Sequence, residues 1–424
     1  MYYLTLNTMR HLLLPFCLLA ILSSCKKDKE ENQPIPNNKA VAWIKTFGGS
    51  NYDFAKAVVQ LPNGHYVMAG TTRSIDGDVA GSRVGYDPWI AEIDTAGTLL
   101  WSKAFGTNAD EHTDNLVATS DGGFVLVGHI GFNFDTTSNQ GWIIKTNGSG
   151  SEVWRKDFTT SNDSKILDVI SNIDGSLVIA GYTTTANGRD GWIAKLDGSG
   201  NEVWNKTFGG TKEDQLTSIS IASNGGYVAS GFTQSSDMNL SANKGSFDGW
   251  ILKIDDNGTM QWSKNYGGSG ADYLKSIVRS TDGGYVSVGN SNSSNGDITQ
   301  NRGNFDEWVL KIDVSGNKQW VKTYGGANDE YVTGVVTTPD GGYLSIGYTN
   351  STDYDVTRNT GGFGGWLIKM DGSGNKTASS TYGDNYDELV DDVIRTSDGG
   401  YIIAGQTYNP AKTYDAWLVK IQPL

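Results

Sequence analysis

Carboxylates recur in this 424-residue chain at spacings that could gather them at one place. One set stands where successive repeats of the sequence begin, and the third repeat has Ser164 at that position, beside Asp163. The set consists of Asp53, Glu111, Asp214, Asp272, Glu330 and Glu388. If these residues open equivalent strands around one axis, they form a ring. Each could accept backbone N–H bonds from a nearby loop, or the gathered like charges could bind a cation such as Ca²⁺.

A second polar set consists of paired Asp and Asn residues in the long loops of four repeats. Its members are Asp76 and Asp78, Asp237 and Asn239, Asn295 and Asp297, and Asp353 and Asp355. Asx turns and calcium ligation are both open explanations for such pairs. Arg83, Lys244 and Arg302 follow in three of these loops and could pair with the acids or with a ligand. The aromatic residues that come next, Tyr86, Phe247, Phe305 and Phe363, could pack in the core or stack on sugars.

The sequence contains few residues that could support other kinds of catalysis. His65, His112 and His129 share no metal-ligand spacing, and a structural or surface role is expected for each. The chain has no Gly-x-Ser-x-Gly elbow and no phosphate-binding glycine loop with lysine. We therefore assign no catalytic residue and no organic cofactor, and Ca²⁺ is the one ion that the acidic sets suggest.

The elements that must position these residues come from a sevenfold repeat. A turn followed by a strand that ends in glycine recurs at Gly70, Gly128, Gly181, Gly231, Gly289, Gly347 and Gly405. All 13 tryptophans fall at two equivalent positions of the repeat, seven at one and six at the other, and the missing one aligns with Ala378. Four strands are predicted per repeat, for example over residues 272–279, 284–289, 308–313 and 318–324.

Short strands, glycine turns and this period predict an all-β fold, a seven-bladed β-propeller of four-stranded blades over residues 42–424. The chain opens on a fourth-type strand and stops after a third-type strand. Residues 42–48 should therefore complete the last blade and close the ring, which removes an open sheet edge. An open solenoid with the same repeats is the alternative. In a propeller the ring acids would lie at one mouth of the central channel, on the same face as the long loops.

The first residues are typical of an export signal. Arg10 precedes an apolar run over residues 12–22, which is too short to cross a bilayer as a helix. The sequence Leu-Ser-Ser-Cys that ends at Cys25 resembles the lipobox of bacterial lipoproteins, in which the cysteine is acylated. We expect a lipoprotein signal peptide over residues 1–24, starting at Met1 or Met9, and a lipidated flexible tether over residues 25–41. A plain secretory signal is the alternative.

The repeat motifs resemble those of bacterial β-propeller repeat lipoproteins with Asp-Gly-Gly-Tyr and Trp-x-Lys-Thr-Phe-Gly-Gly signatures, a group that is mostly uncharacterised. The hairpin over residues 195–204 is similar to the tryptophan-docking repeat of quinoprotein dehydrogenases. That repeat usually has alanine where this chain has Lys195. The mature chain also offers no paired cysteines to cover a quinone, so the resemblance does not extend to that cofactor.

The charge balance excludes some partners. With 33 Lys and Arg against 47 Asp and Glu, the net charge is −14, which argues against nucleic acid and against an anionic membrane surface. We predict a monomeric outer-membrane lipoprotein that contacts the membrane only through its N-terminal lipid. It should be exposed at the cell surface, with a periplasm-facing orientation as the alternative.

The predicted function is a non-catalytic binding or scaffold module for an extracellular protein or glycan. The alternative is a carbohydrate-active hydrolase or lyase that uses carboxylates at the channel mouth. Asp110, Asp329 and Asp387 stand beside ring acids and would be candidates for that chemistry.

Overall fold

A computed structural model describes residues 40–131, 139–158, 163–238, 240–356, 359, 362–383, 386–410 and 413–424. The predicted signal, Cys25, most of the predicted tether and the loop residue Asn239 lie outside these ranges. The described part of the chain holds no helix that is long and apolar enough to cross a membrane. It forms 28 strands in seven antiparallel sheets of four, so the predicted seven-bladed propeller is confirmed.

The strands follow one another outward from the axis within each sheet. The first strand is β1 (Val41–Phe47). Blade 1 comprises β2 (Asp53–Gln60), β3 (Tyr66–Thr72), β4 (Asp87–Ile93) and β5 (Leu99–Ala104). Blade 2 comprises β6 (Glu111–Ala118), β7 (Phe124–Ile130), β8 (Gln140–Thr146) and β9 (Glu152–Asp157). Blade 3 comprises β10 (Ser164–Ser171), β11 (Leu177–Thr185), β12 (Gly188–Leu196) and β13 (Glu202–Phe208).

The remaining blades repeat this order. Blade 4 comprises β14 (Asp214–Ile221), β15 (Tyr227–Thr233), β16 (Asp248–Ile254) and β17 (Met260–Tyr266). Blade 5 comprises β18 (Asp272–Arg279), β19 (Tyr285–Ser291), β20 (Asp306–Ile312) and β21 (Lys318–Tyr324). Blade 6 comprises β22 (Glu330–Thr337), β23 (Tyr343–Thr349), β24 (Gly364–Met370) and β25 (Lys376–Tyr382). Blade 7 comprises β26 (Glu388–Arg395), β27 (Tyr401–Asn409), β28 (Thr413–Ile421) and, as its outer strand, β1.

The ring closes as predicted. Strand β1 pairs antiparallel with β28, from Val41 opposite Ile421 to Phe47 opposite Ala416. Phe47 is buried in a core cluster with Met68 and Trp89 of blade 1 and with Leu418 of blade 7. The N-terminal strand therefore covers the edge of β28 and contributes apolar side chains to the interface between the last and the first blades.

The tryptophans of the outer strands hold adjacent blades together. Each packs against the glycine in the hairpin between the third and fourth strands of the next blade, as Trp320 does against Gly374. The six pairs are Trp43 and Gly97, Trp101 and Gly150, Trp154 and Gly200, Trp204 and Gly258, Trp262 and Gly316, and Trp320 and Gly374. Blade 7 has no such hairpin, because its outer strand is β1 rather than a continuation of β28. This explains why Ala378 of blade 6 replaces the seventh tryptophan: the partner glycine does not exist.

Replacing Gly374 by alanine should destabilise the protein more than replacing Gly341. Both glycines have a positive φ, +76° and +81°, which costs an alanine roughly 1 kcal/mol. A Cβ on Gly374 would also lie 2.6 Å from Trp320, whereas a Cβ on Gly341 meets nothing within 4 Å. We expect Gly374→Ala to lower the free energy of unfolding by about 2–3 kcal/mol and Gly341→Ala by about 1 kcal/mol. Urea unfolding of both variants measures the difference, and equal losses would contradict the packing role of the pair.

Candidate functional site

The predicted ring acids are buried where the innermost strands begin. Asp53 shows the common arrangement: its carboxylate accepts hydrogen bonds from the Thr72 hydroxyl, from Ser74 Oγ at 2.8 Å and from the Gly49 N–H at 2.7 Å. Asp214, Asp272 and Glu330 each bind a hydroxyl of the second strand and a glycine N–H of the preceding loop in the same way. Burial raises the pKa of Asp53, against the lowering effect of these donors.

Three repeats vary this arrangement. Glu111 pairs with the Arg155 guanidinium of the same blade and accepts the Thr107 N–H at 2.7 Å. Glu388 accepts a bond from Thr407 at 3.3 Å. In the third repeat Ser164 takes the buried position, and Asp163 beside it accepts two bonds from Asn139 of blade 2 and pairs with Arg189. All of the predicted ring acids are therefore engaged with donors of the chain itself.

The loop acids fasten neighbouring loops to one another. Asp76 accepts the Ser50 N–H at 2.8 Å, and Asp78 accepts the Gly48 N–H at 3.2 Å. The other described members make equivalent bonds: Asp237 to Thr211, Asn295 to Ser269, Asp297 to Gly267, Asp353 to Ala327 and Asp355 to Gly325. Each bond joins the loop between the second and third strands to the loop that enters the same blade.

Two of the three basic loop residues bind the loop acid of the next blade. Lys244 pairs with Asp297, and Arg302 pairs with Asp355. The equivalent Arg83 is exposed, and it makes no ion pair with another described residue. The long loops of blades 4, 5 and 6 are therefore linked to one another by ion pairs.

Calcium is expected to have no effect on thermal stability. The acids that suggested a cation site are already bonded to hydroxyl, N–H or cationic groups, so binding an ion would break those bonds. Among the residues that the structure describes, no group of three or more His, Cys, Asp or Glu side chains could hold a metal. The test is the unfolding temperature in millimolar Ca²⁺ against EGTA, and a rise of several degrees with Ca²⁺ would restore the cation hypothesis.

Aromatic side chains surround much of the channel mouth on this loop face. In blades 4 to 6 they form one connected group, which we call the aromatic arc; its members are Phe232, Phe247, Tyr273, Phe305, Tyr331, Tyr348 and Phe363. Neighbouring ring centroids lie between 5.0 and 6.2 Å apart. All seven side chains are only half-buried, and none belongs to a core cluster of the described residues. Each ring is thus partly accessible to solvent on this face.

Backbone bonds between blades fix the position of the arc. The Phe305 carbonyl accepts the Glu330 N–H at 2.7 Å, and the Phe305 N–H donates to Asp329 at 3.2 Å. Phe363 is held in the same way, by the Glu388 N–H at 2.7 Å and by Asp387 at 2.8 Å. The acids that stand beside the ring acids therefore anchor aromatic residues of the preceding blade. Asp110 does the same for Tyr86 in blade 1.

A groove and a channel adjoin the arc. The groove has a volume of about 370 Å³ and is lined by Phe363, Asn350, Thr352, Asn359, Gly362 and Asp387. The channel contains a cavity of about 160 Å³, to which all seven innermost strands contribute. Each of these strands has a β-bulge at the same place, where one residue has no partner on the neighbouring strand. These residues are Lys56, Asp114, Leu167, Thr217, Lys275, Thr333 and Asp391.

Blade 2 breaks the pattern of the mouth with two histidines. His112 and His129 stack with ring centroids 5.2 Å apart, at positions where blade 6 has Tyr331 and Tyr348. His129 Nδ1 lies 2.6 Å from Asp114 of the channel. Burial lowers the pKa of His112 to about 4, with His129 adding to the effect, so that His112 is neutral at physiological pH.

Sequence reasoning did not identify the channel residues. The signal that could have found them is variation in sequence. The fourth residue of each innermost strand is Lys, Asp, Leu or Thr, whereas the residue before it is apolar in six of the seven repeats. A position that varies within a strict repeat is free of the packing that preserves the others. The partners of the arc on the first and second strands, such as Tyr273 and Phe232, were also missed, because only register brings them beside Phe247.

No protein-family model and no curated protein matches the chain. Solved structures resemble it at low identity. Sqt1 from Chaetomium thermophilum is 10% identical over 90% of this chain and all of its own, with a TM-score of 0.46. BBS1N, solved in complex with ARL6DN, is 11% identical over 91% of this chain and 96% of its own, with a TM-score of 0.49. A putative gluconolactonase is 10% identical over 76% of this chain and 95% of its own, with a TM-score of 0.38. The propeller assignment itself rests on the strand pairing.

Proposed function

We propose that this propeller is a non-catalytic binding module that holds an extracellular glycan on its loop face. The observation that carries the proposal is the aromatic arc, which places seven partly exposed rings on one side of the channel mouth. Half-exposed aromatic residues offer large contact area together with a polar edge, and they are enriched in binding surfaces for that reason. Since backbone bonds between blades hold Phe305 and Phe363 in place, little conformational entropy is lost when a ligand packs on them.

The surroundings of the arc favour a sugar over an apolar partner. The groove beside Phe363 combines one aromatic face with the amides of Asn350 and Asn359 and the Thr352 hydroxyl. A pyranose ring has an apolar C–H face and a hydroxyl-rich edge, so it matches an aromatic floor with polar walls. A protein partner is the alternative that the experiment below separates.

The hydrogen bonds made by the acids at the channel mouth, Asp329, Glu330 and Asp387, favour a binding function over hydrolysis. A glycosidase needs two carboxylic groups across the scissile bond, one of which must give up a proton to the substrate. Asp329 and Asp387 instead accept the N–H groups of arc residues, and Glu330 accepts a hydroxyl and an N–H. Using any of them as an acid would release the residues that it anchors.

The test measures retention of the full chain in gels that contain single polysaccharides. Tyr331→Ala should weaken retention by about tenfold, because Tyr331 contacts three other rings of the arc. Phe54→Ala is the matched control, since Phe54 stands at the equivalent position of blade 1, outside the arc, and should change retention less than twofold. Retention of no polysaccharide, together with capture of a protein that Tyr331→Ala abolishes, would replace the glycan by a protein partner. Release of reducing ends would favour the hydrolase.

We further propose that Cys25 carries the lipid that anchors the chain in the outer membrane with the propeller at the cell surface. The lipobox-like sequence and the polar segment after it support this. Labelling of intact cells with a membrane-impermeant reagent should modify the propeller, and Cys25→Ser should move it to the soluble fraction. Labelling only after lysis would favour the periplasm-facing orientation.

A further inference from the structure

One cation in the channel makes no ion pair with any residue that the structure describes. Lys275 is the bulge residue of β18, and its side chain lines the channel. Its Nζ lies 5.8 Å from the ring centroid of Tyr273 and 5.9 Å from that of Phe232, both members of the aromatic arc. Within the described part of the chain, no carboxylate lies at ion-pair distance from this ammonium group.

The equivalent lysine of blade 1 is neutralised. Lys56 Nζ lies 2.8 Å from Asp391 of blade 7. Lys275 is exposed within the channel, and the protein that surrounds it lowers its pKa through desolvation. A partly desolvated ammonium group without a counter-charge binds an anion more strongly than a fully hydrated one does.

The carboxylates of the channel wall lie in other blades than Lys275 and its two neighbouring blades. Blades 4 to 6 line it with hydroxyl, glycine and apolar groups next to Lys275, whereas its carboxylates come from blades 2, 3 and 7. The carboxylates on the channel wall are Asp114, Asp168, Asp391 and Asp392. A negatively charged group bound beside the aromatic arc would therefore lie near Lys275 and away from the four carboxylates of the channel wall.

We infer that Lys275 binds the negatively charged group of an acidic glycan, a uronate carboxylate or a sulfate ester, while the sugar ring packs on the aromatic arc. This inference rests on the proposed function and adds the class of sugar. The ammonium lies against Tyr273 and Phe232, so an anion on a sugar that contacts these rings is within its reach.

The net negative charge of the protein makes Lys275 important for the binding of an acidic glycan. At −14 the chain as a whole repels polyanions. Binding of an acidic polymer therefore depends on a local cation and should weaken as added salt screens the ion pair.

The experiment compares four polymers in affinity gels: polygalacturonate and its methyl ester, and dextran sulfate and neutral dextran. Each pair differs only by the charged group, so the two pairs separate carboxylate from sulfate. The full chain is tested with Lys275→Met, with Lys275→Arg, which restores the charge, and with Arg279→Met. Arg279 is the exposed last residue of β18, so its loss changes the net charge equally but far from the arc. Thermal unfolding confirms that each variant is folded.

We expect the full chain to prefer one charged polymer over its neutral counterpart by about tenfold, and Lys275→Met to remove that preference while binding of the neutral polymer persists. Lys275→Arg should recover most of the preference, and Arg279→Met should keep it. Equal binding of charged and neutral polymers, with Tyr331→Ala weakening both, would overturn the inference and leave the proposed function standing. An equal loss in Arg279→Met would overturn it as well, and binding of no polymer would overturn both.

Discussion

A chain of residues 48–424 is expected to unfold about 6 °C below a chain of residues 40–424, from which it differs by β1 and Ala40. Without β1 the edge of β28 is open, and Phe47 no longer fills the cluster between blades 1 and 7. The shorter chain also lacks Trp43, and with it the contact with Gly97 and the hydrogen bond from Trp43 Nε1 to the Thr95 carbonyl at 3.1 Å. These losses together correspond to about 5 kcal/mol of unfolding free energy.

Thermal unfolding followed by circular dichroism measures the difference, and sedimentation shows whether the open edge associates. We expect the shorter chain to self-associate through β28, because an unpaired edge strand is a template for pairing. A peptide of residues 40–48 added in excess should bind that edge and restore part of the lost stability. Identical unfolding temperatures for the two chains would show that the ring does not depend on β1.

Glu307→Gln is expected to stabilise the protein at neutral and alkaline pH and to have little effect near pH 4. Glu307 is buried in β20 at a position where blades 2, 3, 4 and 6 have glycine. Burial raises its pKa to about 8, and the nearby carboxylates of Glu330 and Asp355 add to the effect. The side chain is therefore protonated in the folded protein at pH 7.

The sign of the pH dependence follows from the two pKa values. In the unfolded chain the glutamate ionises above pH 4.5, whereas in the folded protein it keeps its proton until about pH 8. The folded state therefore binds more protons in this window, and its stability falls as the pH rises from 4.5 to 8. Glutamine cannot ionise, so the variant lacks this loss and should be more stable by roughly 3 kcal/mol at pH 7.

Urea unfolding of wild type and Glu307→Gln at pH 4 and pH 7.5 tests the expectation. Glu202→Gln is the control, because Glu202 is exposed and its substitution should change stability by less than about 0.5 kcal/mol at either pH. An advantage of Glu307→Gln that is the same at both pH values would mean that the carboxyl group is not held neutral by the fold.

Strand positions could be predicted closely from the sequence because each was present seven times. The predicted strands over residues 272–279 and 318–324 coincide with β18 and β21. The buried ring acids were also placed correctly at the start of the innermost strands. Their hydroxyl partners were not found, because only the strand register brings Thr72 opposite Asp53.

The candidate site was accessible to sequence reasoning only in part. Phe247, Phe305 and Phe363 were recognised as aromatic residues before the third strand, with core packing and sugar stacking left open. Joining them to Tyr331 requires the pairing of three strands and the contact between two blades. Such contacts join residues far apart in the chain, and no local pattern reports them.

By itself the sequence determined the strand pattern of the blades and favoured a closed ring, because seven copies of one amphipathic pattern bury their apolar faces by stacking and the first strand completes the last blade. The tertiary structure decided which charges remain available. Lys56 and Lys275 occupy the same position of the repeat. Only the closure of the ring places Asp391 beside the first, whereas no carboxylate in the described part of the chain pairs with the second. That difference depends on contacts between blades, where the energy of a charge is set by its spatial neighbours and not by its neighbours in sequence.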